Sequence, residues 1–189
     1  MITAQEIALA IYGILRLLRL DRGAVQYFEN TPEAFWRSFN AALVAAPAYV
    51  LLVLLNFADN PADASEGRIV AVETITYVIG WVLFPLVMVS FTESASCERY
   101  YFRFVSAWNW SVVFQVFVFL AITAFGASGA LPPSLAGFIS LLTTAAILFY
   151  QGYIAHIMLE VSAGPAALVV IINLVLDLGL TFVSRWFYG

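Results

Sequence analysis

The longest stretch of this chain without a charged residue covers residues 104–159, which are 56 residues between Arg103 and Glu160. A single helix of this length would measure about 84 Å at 1.5 Å per residue, whereas the hydrocarbon core of a bilayer is about 30 Å thick. The stretch therefore has to fold back on itself. Segment 126–133 predicts the turn, because it contains two glycines and two consecutive prolines, which end helices.

Three further stretches each have the length of one membrane crossing. Between Arg37 and Asp59 lie 21 uncharged residues, between Glu73 and Glu93 lie 19, and the third stretch follows a glycine-proline pair near the end of the sequence. Charged residues make up 11% of the chain, against about 25% in soluble domains. We therefore predict an all-α integral membrane protein with five transmembrane helices. The predicted spans are 38–58, 69–92, 108–125, 134–159 and 166–187.

The segment 1–37, which precedes the first span, has a pattern of its own. An apolar run at 7–15 is followed by Arg16 and Arg19, which predicts an amphipathic helix lying at the membrane interface. Whether this helix lies on the membrane or crosses it stays open at this point. Further on, Thr31-Pro32-Glu33 predicts a helix start, with a capping hydroxyl, a proline at the first position and a carboxylate near the positive end of the dipole.

The distribution of arginine predicts the orientation, because cytoplasmic loops of membrane proteins are enriched in basic residues. The loop 58–68, by contrast, carries three acidic residues and one arginine. The N-terminus is therefore expected in the cytoplasm and the C-terminus in the periplasm of a bacterial inner membrane, since arginine without any lysine suits a GC-rich bacterium. The net charge of −4 argues against a nucleic-acid partner. The arginines on the expected cytoplasmic side are Arg16, Arg19, Arg22, Arg37, Arg99 and Arg103.

Ionisable residues inside a span are costly and are therefore the first candidates for function. Asp177 lies in the middle of the fifth predicted span, and Asn173 precedes it by one helical turn on the same face. Glu73, counted by depth, is expected close enough to Asp177 to share a cavity with it. Two interpretations stay open: a cation or proton site, and hydrogen bonding that merely holds helices together.

Other polar residues have similar pairs of interpretations. Gln115 and Gln151, with Asn173, are predicted at matching depth, where amides form hydrogen bonds between helices more often than they form a substrate site. His156 and Glu160 lie one turn apart, which favours an interfacial hydrogen bond over a metal site, because a metal ion usually needs three or four ligands. We predict no metal and no cofactor.

Aromatic and basic residues are expected to anchor the protein at the interface. Trp36, Arg99 and Arg103 belong to two segments rich in aromatic side chains, which favour that depth in membrane proteins generally. A ligand site is the less favoured alternative. Motifs of hydrolases, metalloproteases and nucleotide-binding enzymes do not occur in the sequence, so an enzyme is not expected; an intramembrane enzyme would need His156 with a nearby nucleophile.

The order of these segments resembles the Yip family of membrane proteins, including its bacterial relatives. The features that carry the resemblance are the cytoplasmic N-terminal segment, the acidic and aromatic lead-in at 31–39 (TPEAFWRSF) and five closely spaced spans. The Asp-Leu-Tyr-Gly-Pro signature of eukaryotic members does not occur, and no functional residue is carried over. The resemblance implies a non-enzymatic role in membrane organisation, partner recruitment or transport.

Two functions follow as hypotheses. The first is a scaffold or accessory protein of the membrane, with the lipid bilayer and a membrane-protein partner or a second copy of the chain as its contacts. The second is a small transporter or channel in which Asp177 forms a cation or proton site.

Overall fold

A computed structural model describes residues 4–59 and 64–188, and these residues are helical with no strand among them. Two short 3-10 helices, Arg22–Tyr27 and Glu98–Tyr100, interrupt the loops. The α-helices of the described residues are α1 (Ala4–Leu18), α2 (Pro32–Ser38), α3 (Asn40–Asp59), α4 (Glu66–Ser94), α5 (Tyr101–Ala127), α6 (Pro133–Met158) and α7 (Ala163–Tyr188).

Five helical segments are long and apolar enough to cross a membrane, which confirms the predicted number. Four of these segments are longer than the predicted spans, and the segment Pro133–Met158 is shifted by one residue from the predicted 134–159. α4, for example, has 29 residues and a length of about 43 Å, which a bilayer accommodates by tilting of the helix. The five segments are Pro32–Ala58, Glu66–Ser94, Glu98–Ala127, Pro133–Met158 and Ala163–Tyr188.

α5 is the central helix of the bundle. It packs against α1, α2, α3 and α6 and, more sparsely, against α4, while α7 packs against α4 and α6. We call the end at which α3, α5 and α7 begin the basal end, and the opposite end the distal end. The N-terminal helices α1 and α2 lie at the basal end.

Burial is concentrated in the basal half of the bundle. Every residue of α5 from 103 to 111 is buried, and the buried residues of α6 all lie between Ile147 and Met158. The buried stripe of α3 consists of alanines, which let two helices approach closely, and α3 lies directly against α5. The helices are therefore packed more closely at the basal end than in the distal half. The alanines of the stripe are Ala41, Ala45 and Ala48.

The predicted amphipathic N-terminal helix is present as α1, and it is docked on the bundle. Ile14 and Leu17 are buried at the basal ends of α5 and α6, and the Tyr150 hydroxyl donates to the Ile14 carbonyl at 3.4 Å. The opposite side of α1 exposes Ile11 and Leu15. Apolar residues lie on both sides of this helix. The sequence pattern therefore could not indicate which side contacts the bundle, and it did not predict that α1 docks there. Placement of α1 at the lipid interface stays a prediction.

Arg103 joins three parts of the basal end. Its guanidinium donates to the Met158 carbonyl at 2.8 Å and to Glu160 at 2.9 Å, and its backbone amide donates to the Asn30 side chain at 3.1 Å. Hydrogen bonds from Tyr100 and Arg103 hold the pKa of Glu160 below its usual range, so the ion pair persists in mild acid. The N-terminal segment, α5 and the end of α6 are thereby connected.

Replacing this side chain should destabilise the basal end. We expect Arg103→Gln to lower the free energy of unfolding by about 1–3 kcal/mol, because the buried Met158 carbonyl loses a charged donor. The measurement is thermal unfolding of the detergent-solubilised protein. Arg99→Gln is the matched control, because Arg99 is exposed and stacks on Tyr100. Equal destabilisation by the two variants would contradict this role.

Candidate functional site

The helices enclose a cavity of about 580 Å³ inside the bundle, partly open to the surroundings. All five spanning segments contribute to its wall. The rings of Phe84 and Trp108, stacked with centroids 4.2 Å apart, line it on the basal side. The volume lies within the range of about 300–1,000 Å³ that is usual for sites of small ligands.

Asp177 is the one carboxylate among the described residues that line this cavity. It continues the protein-facing stripe of α7, formed by Val169, Asn173 and Ser184, at helical spacing. The other stripe members are buried, yet Asp177 is exposed, because the stripe faces the cavity at this point. The amide of Asn173 donates to Oδ2 of Asp177 at 2.8 Å, as their spacing of four residues allows.

Gln115 and Gln151 lie on the cavity wall beside this pair. The Gln151 amide donates to Oε1 of Gln115 at 2.8 Å, and the Gln115 amide donates to the Ser111 hydroxyl at 3.1 Å. These two amides therefore connect α5 and α6, whereas the side chain of Asn173 forms its hydrogen bond with a residue of its own helix. Oε1 of Gln151 is buried and has no hydrogen-bond partner among the described residues, so one strong acceptor remains unused at the wall.

Glu73 lies outside the cavity, contrary to the expectation that it shares one with Asp177. Its carboxylate accepts hydrogen bonds from Tyr49, at 2.5 Å, and from Tyr188. Tyr188 follows Asp177 by 11 residues, which corresponds to about 16 Å along α7. Counting residues from the end of a helix ignores its tilt and the reach of tyrosine side chains, and two hydroxyls capture Glu73 near the distal end instead.

The predicted interfacial residues occupy the basal end. Glu160 pairs with Arg103 and not with His156, whose Nδ1 donates to the Val161 carbonyl at 2.5 Å. Trp36 is 69% exposed, and Arg99 is exposed as well. In the part of the chain that the structure describes, no group of three or more histidines, cysteines and carboxylates could hold a metal ion.

A buried polar pair between two cavities was missed by the sequence analysis. The Asn109 amide donates to the Ser38 hydroxyl at 2.9 Å, and the two residues are 2% and 1% exposed. Asn109 lines the large cavity, whereas Ser38 lines a second cavity of about 100 Å³ at the basal end, next to Arg37 and Glu29. The sequence feature that could have indicated this pair is the carboxamide of Asn109 in an otherwise apolar span. It lies between two tryptophans that were interpreted as an interfacial anchor, so the amide was not considered by itself.

Comparisons with protein-family models, with curated protein sequences and with solved structures find no match.

The two intramembrane carboxylates should respond differently to substitution. Glu73→Ala leaves two tyrosine hydroxyls without their acceptor, so we expect a loss of about 1–3 kcal/mol in the free energy of unfolding. Asp177→Asn should not lower it, because an amide oxygen still accepts the bond from Asn173 and no charge then has to be kept in an apolar helix. Thermal unfolding in detergent measures both. A loss for Asp177→Asn would make Asp177 a structural residue and not a site residue.

Proposed function

We propose that this protein is a multi-pass membrane protein that binds small cationic solutes in its central cavity and moves them across the bilayer. The observation that carries the proposal is the carboxylate of Asp177, which lies in the middle of a spanning helix and faces a cavity large enough for a small molecule.

Energetics support a cationic solute. A charged carboxylate at the centre of a bilayer costs about 2.5–3.5 kcal/mol on insertion scales, and a single amide bond from Asn173 offsets part of that cost. A cation in the cavity would neutralise the remaining charge. Gln115 and Gln151 lie on the same wall, and their amides are bonded to each other.

The polar pair Ser38 and Asn109 supports movement across the membrane as well as binding. Asn109 lines the large cavity and Ser38 lines the small basal cavity, so the hydrogen bond between them lies between the two cavities. At the distal end, Glu73 joins α3, α4 and α7 through Tyr49 and Tyr188. Separation of the Ser38 hydroxyl from the Asn109 amide would connect the two cavities and open the route.

The remaining parts of the proposal concern location and class. We place the basal end in the cytoplasm of a bacterium and the distal end in the periplasm, because six of the eight arginines lie at or near the basal end. The role is non-enzymatic, and the surrounding partner is the lipid bilayer of the inner membrane.

Transport in reconstituted vesicles tests the proposal. We expect proteoliposomes to take up at least one member of a panel of sodium, potassium, protons and small organic ammonium ions. Asp177→Asn should lower that uptake by roughly tenfold or more, because the binding charge is lost. Glu93→Gln is the matched control, since Glu93 is an exposed carboxylate at the basal end of α4. Uptake that is absent, or equal in wild type and Asp177→Asn, contradicts the proposal.

A scaffold or accessory function is the second candidate, and the distal half of α6 favours it. This half has no buried residue, and large apolar side chains are exposed on its surface. A helix of a membrane-protein partner or of a second copy could pack there. In that case mild purification retains the partner or an oligomer, and Asp177→Asn leaves the assembly unchanged. The exposed large apolar residues of this half are Leu135, Phe138, Leu141 and Leu142.

A further inference from the structure

We infer that the solute bound beside Asp177 is an organic cation with aromatic or apolar substituents. The inference rests on the proposed function and names the chemical class of the solute for that same cavity. It excludes metal ions and bare protons as the main cargo.

Calcium and magnesium do not suit this cavity, because Asp177 is the one carboxylate among the described residues that line it. Calcium takes six to eight oxygen ligands, and magnesium demands near-octahedral geometry. The cavity offers one carboxylate, and Oδ2 of this group already accepts a hydrogen bond from Asn173. One carboxylate matches one positive charge, so the arrangement suits a monovalent cation that needs no full coordination shell.

Aromatic side chains make up much of the remaining wall. An ammonium group over such a ring gains about 0.5–2 kcal/mol from the ring quadrupole, most strongly when water is excluded. Aliphatic side chains of α3, α5 and α7 also line the cavity and would cover apolar substituents. A cavity of about 580 Å³ is also far larger than an inorganic cation requires. The aromatic lining residues are Tyr49, Tyr77, Trp81, Phe84, Trp108 and Phe119.

Tetraphenylphosphonium and tetraphenylborate form the test pair, because they have nearly the same shape and opposite charge. We expect equilibrium dialysis of the full chain in detergent to show saturable binding of tetraphenylphosphonium and much weaker binding of tetraphenylborate. Asp177→Asn should weaken the phosphonium binding by roughly tenfold or more, and Asp177→Glu should restore most of it. Equal binding of the two ions would indicate unspecific apolar association and overturn the inference.

Two phenylalanines on α5 provide a matched test of the aromatic wall. Phe119 lines the cavity, whereas Phe117 is 48% exposed and lies outside it. Phe119→Leu should weaken phosphonium binding by about threefold to tenfold, because the apolar volume is kept and the ring is lost. Phe117→Leu should leave it unchanged. Equal effects of the two substitutions would remove the aromatic part of the inference.

Failure of the inference and failure of the proposed function give different results. If tetraphenylphosphonium does not bind, but Asp177-dependent uptake of sodium, potassium or protons occurs in vesicles, the inference is overturned and the proposed function stands. If neither phosphonium binding nor Asp177-dependent uptake is found, both are overturned. Thermal unfolding of each variant, measured in parallel, ensures that only folded protein is compared.

Discussion

The cost of placing a carboxylate in hydrocarbon is the constraint on which the arrangement of this protein depends. Asp177 stands in the middle of an apolar helix, on the stripe that elsewhere packs against α4 and α6. Within the part of the chain that the structure describes, no cationic side chain pairs with it; its side-chain partner is the amide of Asn173. A charged group at this depth has to face water, a polar cavity or a cation, and Asp177 lines a cavity inside the bundle that contains further polar side chains.

The basal half holds the cavity open because it is packed tightly enough to fix the helices. The alanine stripe of α3 brings it close to α5, and the stacked rings of Phe84 and Trp108 join α4 to α5. Arg103 connects the N-terminal segment and the end of α6 to the same helix. The proposed transport function rests on this close packing at the basal end and on the bonded pair Ser38 and Asn109 between the two cavities.

Local and long-range features of this fold were predictable to different degrees. The five apolar helices follow from the lengths of uncharged runs, and the bond between Asn173 and Asp177 follows from the helical period. The partners of Glu73 did not follow, because Tyr188 lies 115 residues away and meets it only through the packing of α4 on α7. His156 likewise bonds to a loop carbonyl that no helical spacing indicates. The sequence also did not indicate which of the two apolar sides of α1 contacts the bundle.

Accessibility of spin labels along α7 in a lipid bilayer measures directly whether Asp177 faces the cavity or the lipid. Labels introduced one at a time at 174–184 would be measured for collision with a water-soluble nickel chelate and with oxygen, which concentrates in lipid. We expect maxima for the nickel chelate at positions 177 and 181, which line the cavity, and maxima for oxygen at Leu178 and Phe182, which face outward. Oxygen maxima at 177 and 181 would show that Asp177 faces lipid, and the account would be contradicted.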